Sequence, residues 1–113
     1  MSDCIFCKII KKEIPSTVVY ENENVYAFRD IHPQAKHHIL VVPKKHVSSV
    51  METNTGSEIL KNIFDAIKEI AKQQKMDTTG FRVTVNNGPD AGQTVFHLHF
   101  HIFGGERLSD KMA

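Results

Sequence analysis

Apolar and polar residues alternate strictly through His97-Leu98-His99-Phe100-His101-Ile102-Phe103. A period of two over this length predicts a β-strand with one buried face. Leu98, Phe100 and Ile102 are expected in the core, with His97, His99 and His101 together on the other face. Residues 17–21 and 25–30 are β-rich runs that also predict strands. Asn22-Glu23-Asn24 lies between them as a turn, which makes a hairpin. Residues 81–86 alternate again, with Phe81, Val83 and Val85 on one side. Ile39-Leu40-Val41-Val42-Pro43 is continuously apolar, as in a central strand covered on both faces. Thr55-Gly56-Ser57-Glu58 matches a capping box and opens a helix running to about Lys75. Ile59, Leu60, Ile63, Phe64, Ile67, Ile70 and Ala71 share its apolar face; Lys61, Asp65, Lys68, Glu69 and Lys72 share the other. Cys4 to Ile10 reads as a short helical turn with Ile5, Phe6, Ile9 and Ile10 in one stripe. The expected architecture is α+β: a five-stranded antiparallel sheet with one long helix and short helical turns, in a single domain over residues 1–113.

Composition narrows the partners. The formal charge is +1 with histidine neutral, and no basic run is present, so the footprint of a nucleic-acid binder is missing. A small nucleotide needs only a few directed donors. No apolar run approaches the ~20 residues of a membrane span, and no secretory leader is visible at the N-terminus. A cytoplasmic location is expected.

The candidate chemistry lies in the histidines and cysteines. Three imidazoles on one strand face are costly to bury and poor strand formers, so stability does not ask for them. A solvated face explains one such histidine better than three. His-x-His can present two nitrogens to one zinc, and the same face can serve catalysis. Cys4 and Cys7 lack the preceding strand of a thioredoxin-type redox pair. They read as half of a zinc site, or as free inert thiols. Asp30 ends an aromatic strand face; it is a solvated edge residue or a carboxylate for the hydroxyls of a ribose. Residues 87–94 form a glycine-bearing loop that can turn N–H groups toward an anion.

The histidine stretch resembles the signature of the histidine triad family, His-φ-His-φ-His-φ-φ. Ile5-Phe6, Lys8-Ile9-Ile10, Glu13-Ile14-Pro15, Asp30-Ile31, Pro33-Gln34-Ala35, His38, Pro43-Lys44-Lys45-His46, Asn86 and Gly92-Gln93 extend the resemblance, in order, toward the Hint branch. It implies a homodimer with continuous sheets. It also implies hydrolysis of adenosine or other purine nucleoside 5′-phosphoramidates at the α-phosphorus, through a covalent nucleotidyl-histidine. Alternatives are a dinucleoside polyphosphate hydrolase, a nucleotidyltransferase, or a nucleotide-binding interaction module with little turnover. By resemblance His99 is the nucleophile, supported by His38, His97 and His101. Thr94 or a nearby histidine relays the leaving group's proton. Asp30 holds the ribose, and Ile5, Phe6, Ile9, Phe28 and Ile31 wall the base. Asn86, Gly92, Gln93, Thr94 and Val95 surround the phosphate together with His99 and His101.

A neutral imidazole is nucleophilic at physiological pH if its other nitrogen is held by an acceptor. His101 is expected to act as an imidazolium on the phosphate oxygens. Cys4 and Cys7 resemble the bacterial branch and the galactose-1-phosphate uridylyltransferases. That likeness implies a structural zinc on Cys4, Cys7, His46 and His97. A rival set, Cys4, Cys7, His97 and His101, would take a histidine away from the phosphate. His32 stands where animal Hint proteins usually have serine, and Thr94 replaces a common serine. The tail after Gly105 lacks their Trp- and Pro-containing end.

Overall fold

The computed structural model describes residues 4–54 and 58–111. Five strands, β1 (Val18–Glu21), β2 (Val25–Arg29), β3 (His37–Pro43), β4 (Phe81–Val85) and β5 (Phe100–Gly104), form one sheet of order β1-β2-β3-β5-β4. Every neighbouring pair is antiparallel. Helix α1 (Ile5–Ile10) packs on one face and helix α2 (Glu58–Gln73) on the other. Among the described residues no helix is long and apolar enough to cross a membrane.

The β1–β2 hairpin forms because Asn22 closes it. Its Oδ1 accepts the N–H groups of Asn24 and Val25, each at 2.8 Å, the side-chain mimic of a backbone turn. The apolar run of β3 is covered on both sides, as its composition requires. Ile39 and Val41 join the cluster under α2, with Ile63, Ala66, Ile67 and Ile70. Leu40 and Val42 join Phe6, Ile9, Tyr26 and Phe28 on the α1 side. Fully burying one such side chain stabilises the fold by about 1.5–3 kcal/mol, so β3 ties two cores together.

Helix α2 closes about where its pattern suggests. Lys75 takes a left-handed conformation (φ 60°). The Met76 N–H then reaches the Ala71 carbonyl at 2.8 Å and the Lys75 N–H that of Lys72 at 3.1 Å. This is a Schellman closure made without glycine. Phe64, expected in the core stripe, is 47% exposed; it lies at the rim of the helix, edge-on to Phe100 at 5.5 Å. Thr55, Gly56 and Ser57 of the capping box lie outside the described residues.

The largest departure concerns the histidine strand. Its alternation spans residues 97–103, but the hydrogen-bonded strand begins at Phe100. The β3–β5 register pairs Val41 with Phe100, which would set Leu98 opposite Pro43. Proline has no N–H to give a ladder, and the Leu98 N–H goes instead to the Val47 carbonyl at 2.7 Å. The side chains still alternate: Leu98, Phe100 and Ile102 are buried under α2. His97 and His99 lie in ring contact with Phe6 of α1. Asp30 and Asn86 fall just past the ends of β2 and β4.

Candidate functional site

The broken ladder matters for chemistry because it leaves the His97 carbonyl outside the sheet. His99 Nδ1 sits 2.8 Å from that oxygen. A carbonyl only accepts, so Nδ1 carries the proton and His99 Nε2 keeps its lone pair. The ring is buried, edge-on to Phe6 at 5.0 Å and to His101 at 5.1 Å between centroids. Burial pushes its pKa below the usual histidine range, which the bond to His97 and the charge of Asp30 only partly offset. His99 is thus a neutral imidazole with one fixed tautomer.

A second chain of rings starts in the loop before β3. The Gln34 backbone N–H donates to His38 Nδ1 at 3.1 Å. That nitrogen must therefore accept, and the His38 proton resides on Nε2. His38 Nε2 faces His101 Nδ1 at 3.0 Å and Asp30 Oδ2 at 3.5 Å. His101 accepts at Nδ1 and holds its own proton on Nε2, across the ring. Burial, then the neighbouring His99 and His38, push His101 down to about 4. His101 is thus neutral at physiological pH, not the imidazolium expected above; it acts as a neutral N–H donor.

Cys4, Cys7, His46 and His97 form a separate cluster whose ligand atoms all lie within 4.8 Å of one another. His97 is fully buried. Its Nε2–H donates to the Pro43 carbonyl at 2.8 Å, which frees Nδ1 for the cluster. Cys4 Sγ lies 3.3 Å from that Nδ1 and Cys7 Sγ 3.6 Å. His46 Nδ1 lies 3.4 Å from Cys7 Sγ and 3.1 Å from His97 Nδ1. A zinc tetrahedron with bonds of about 2.0–2.3 Å has edges of about 3.3–3.8 Å, and three of these four separations lie within that range, with the two histidine nitrogens slightly closer. Burial, then the hydrogen bond and charge of Cys4, push the Cys7 thiol up; holding two thiolates together calls for a cation between them. Although His46 is exposed, its Nδ1 turns inward. His101, the ligand of the rival set, belongs with Asp30 and His38 instead.

The remaining expected residues divide. Phe6, Ile9 and Phe28 are buried together, and Val95 packs against them. Ile5 is 45% and Ile31 84% exposed, so Ile31 lines no wall that is already packed. Gln93 braces the loop through its side-chain amide. Its Oε1 accepts the Gly88 N–H at 2.8 Å, and its Nε2 donates to the Ser48 and Val95 carbonyls at 2.8 and 3.1 Å. Gly92 (φ 85°) supplies the left-handed turn before it. Thr94 is exposed beside that turn, and Asn86 is half-buried. What the sequence reading missed are backbone groups: the Gln34 N–H and the carbonyls of Pro43 and His97. No side-chain pattern announces them.

The profile of the HIT domain matches residues 11–108. The chain belongs to the HIT domain family. A histidine triad protein from Clostridium difficile is similar in structure, with 50% identity and a TM-score of 0.95, covering 99% of this chain and 98% of that one. A HIT family hydrolase from Legionella pneumophila has 42% identity and a TM-score of 0.91, covering 95% and 96%. A 14 kDa zinc-binding protein from Zea mays is 47% identical over 116 residues, covering 96% of this chain and 86% of its own length. The HIT domain match takes in the histidine face, helix α2 and all five strands.

Proposed function

We propose that the protein is a nucleotide-binding hydrolase that cleaves purine nucleoside 5′-phosphoramidates at the α-phosphorus, with His99 as nucleophile. The observation that carries this reading is the His99 Nδ1–H bond to the His97 carbonyl, which commits Nε2 to attack. The family relationship supports it, as does the similar Legionella protein named a hydrolase.

In the first step the Nε2 lone pair bonds to phosphorus. The P–N bond of the substrate breaks, its electron pair staying on the departing amine. The amine takes its proton from a water molecule that the His101 Nε2–H can orient, with His38 Nε2–H holding His101 Nδ1 in place. Thr94, exposed at the loop, is the other hydroxyl-bearing candidate for this relay. In the second step the hydroxide left by that water attacks phosphorus, and the P–Nε2 bond breaks with its electron pair returning to His99 Nε2. Asp30 would hold the ribose. Its Oδ1 already accepts the His32 N–H at 2.8 Å, which leaves acceptor capacity on both oxygens. Phe6, Ile9 and Phe28 would support the base, with Ile5 and Ile31 free to close on it. Asn86, Gly92, Thr94 and Val95 would meet the phosphate in a loop that Gln93 braces.

Cys4, Cys7, His46 and His97 would hold a structural zinc; four protein ligands close its shell, and the zinc-binding relative from maize agrees with this. A homodimer through β4 is part of the same reading. This strand is an edge of the sheet, with Phe81 and Val85 each 37% exposed, and unpaired edges invite pairing.

The test is AMP release from an adenosine phosphoramidate, with mass-spectrometric trapping of a nucleotidyl group on His99. His99→Ala is expected to lose at least about 10³-fold in kcat; a variant as active as its parent would end the proposal. Faster turnover of diadenosine polyphosphates than of phosphoramidates would shift the substrate class.

A further inference from the structure

Resting on that nucleotide reading, we propose that the Cys4/Cys7/His46/His97 cluster assembles the nucleotide pocket, so that a zinc ion held there sets the affinity for a nucleoside monophosphate. His97 is the first link. Its ring is fixed at both nitrogens, by the Pro43 carbonyl at Nε2 and by the cluster at Nδ1. Its own carbonyl receives the His99 proton at 2.8 Å. Whatever fixes the His97 ring therefore also fixes the acceptor that selects the His99 tautomer.

Phe6 is the second link. It lies between the two cysteines in sequence, on a helix of six residues. Helices so short do not hold themselves. Two things tie α1 down. One is apolar burial of Phe6 and Ile9; the other is the pair of cysteines, with Cys4 Sγ also capping the helix by accepting the Cys7 N–H at 3.3 Å. Phe6 stands edge-on to His97 at 6.0 Å, His99 at 5.0 Å and Phe28 at 5.6 Å. The same ring thus touches a metal-cluster histidine, the nucleophile and the expected base wall. Without an ion, α1 keeps its apolar anchor and the Cys4 cap but loses the tie of its cysteines to His46 and His97, and wall and nucleophile lose a common support. The α2-side core contains no residue of α1, so the rest of the sheet does not depend on this clamp.

Coupling of this kind is reciprocal. AMP is expected to bind at least tenfold more weakly to chelator-stripped protein than to zinc-loaded protein in calorimetry. AMP must then raise zinc affinity by the same factor, measured by competition with a chromogenic chelator. Equal AMP affinity in both forms would overturn the inference and leave the hydrolase reading standing. AMP binding to neither form would overturn the nucleotide reading itself. Hydrogen exchange should show residues 5–10 losing protection on stripping while β2, β3 and β5 keep theirs. Loss throughout the sheet would mean the ion holds the whole fold, and the local clamp would be wrong. Phe6→Leu is expected to keep one zinc per chain but to lose most of the difference in AMP affinity between loaded and stripped protein. A variant retaining the full difference would rule out Phe6 as the link.

Discussion

His97 and His38 are both buried imidazoles at the heart of a polar cluster on the same face of the sheet. The backbone behind them gives the two rings opposite assignments. Behind His97 stands a carbonyl, that of Pro43, which takes the proton and leaves a lone pair facing two cysteines and His46. Behind His38 stands an N–H, that of Gln34, which takes the lone pair and leaves a proton facing His101 and Asp30. A metal needs a deprotonated nitrogen. The first cluster therefore presents a ring lone pair to its neighbours and the second a ring N–H, although both gather three or more ligand-type side chains within 4.8 Å. Counting ligand types would have called both metal sites; the outer partner of each ring separates them.

The largest effect should come from the first cluster. Cys4→Ser combined with Cys7→Ser is expected to abolish zinc binding by elemental analysis while Tm falls by only about 5 °C, the loss of a local clamp rather than of the whole fold. Full zinc occupancy in that variant would break the comparison on its metal side. The second cluster should behave differently. His38→Gln is expected to reduce kcat by about 10–100-fold while the protein still binds one zinc per chain. A second tightly bound zinc in the parent, or loss of the first in His38→Gln, would break it on its proton side.

A smaller effect concerns pH. Burial holds His38 and His99 below their ordinary value and His101 at about 4, against an unfolded value near ~6.5. The unfolded chain then binds more protons than the fold between these values. Stability is full above the unfolded value and is lost as pH falls toward about 4. The urea midpoint should follow that course, and His101→Asn should make its decline shallower. A midpoint independent of pH over this window would show that these rings are not held neutral.

Much of the fold was legible because burial writes itself into sequence. The two-sided cover of β3 follows from an uninterrupted apolar run, the inward face of α2 from its 3.6-residue period, and the hairpin from Asn22. The spacing of the cysteine pair and the histidine alternation also marked side chains that the fold gathers into two clusters. The misreadings have local causes. The strand at residue 97 was cut short by Pro43, a partner 54 positions away. Gln93 resembles a phosphate contact in sequence, yet its amide is occupied by the loop it braces.

What the chain alone determined is which side chains share a face, since that depends only on backbone period and residue type. It placed three imidazoles together and two thiols one helical turn apart. The tertiary structure decided which nitrogen of each ring carries a proton. That depends on whether a carbonyl or an N–H from another segment lies within hydrogen-bonding distance, and such backbone groups are identical in every residue but proline. Only folding brings Pro43, Gln34 and His97 into position to make the choice.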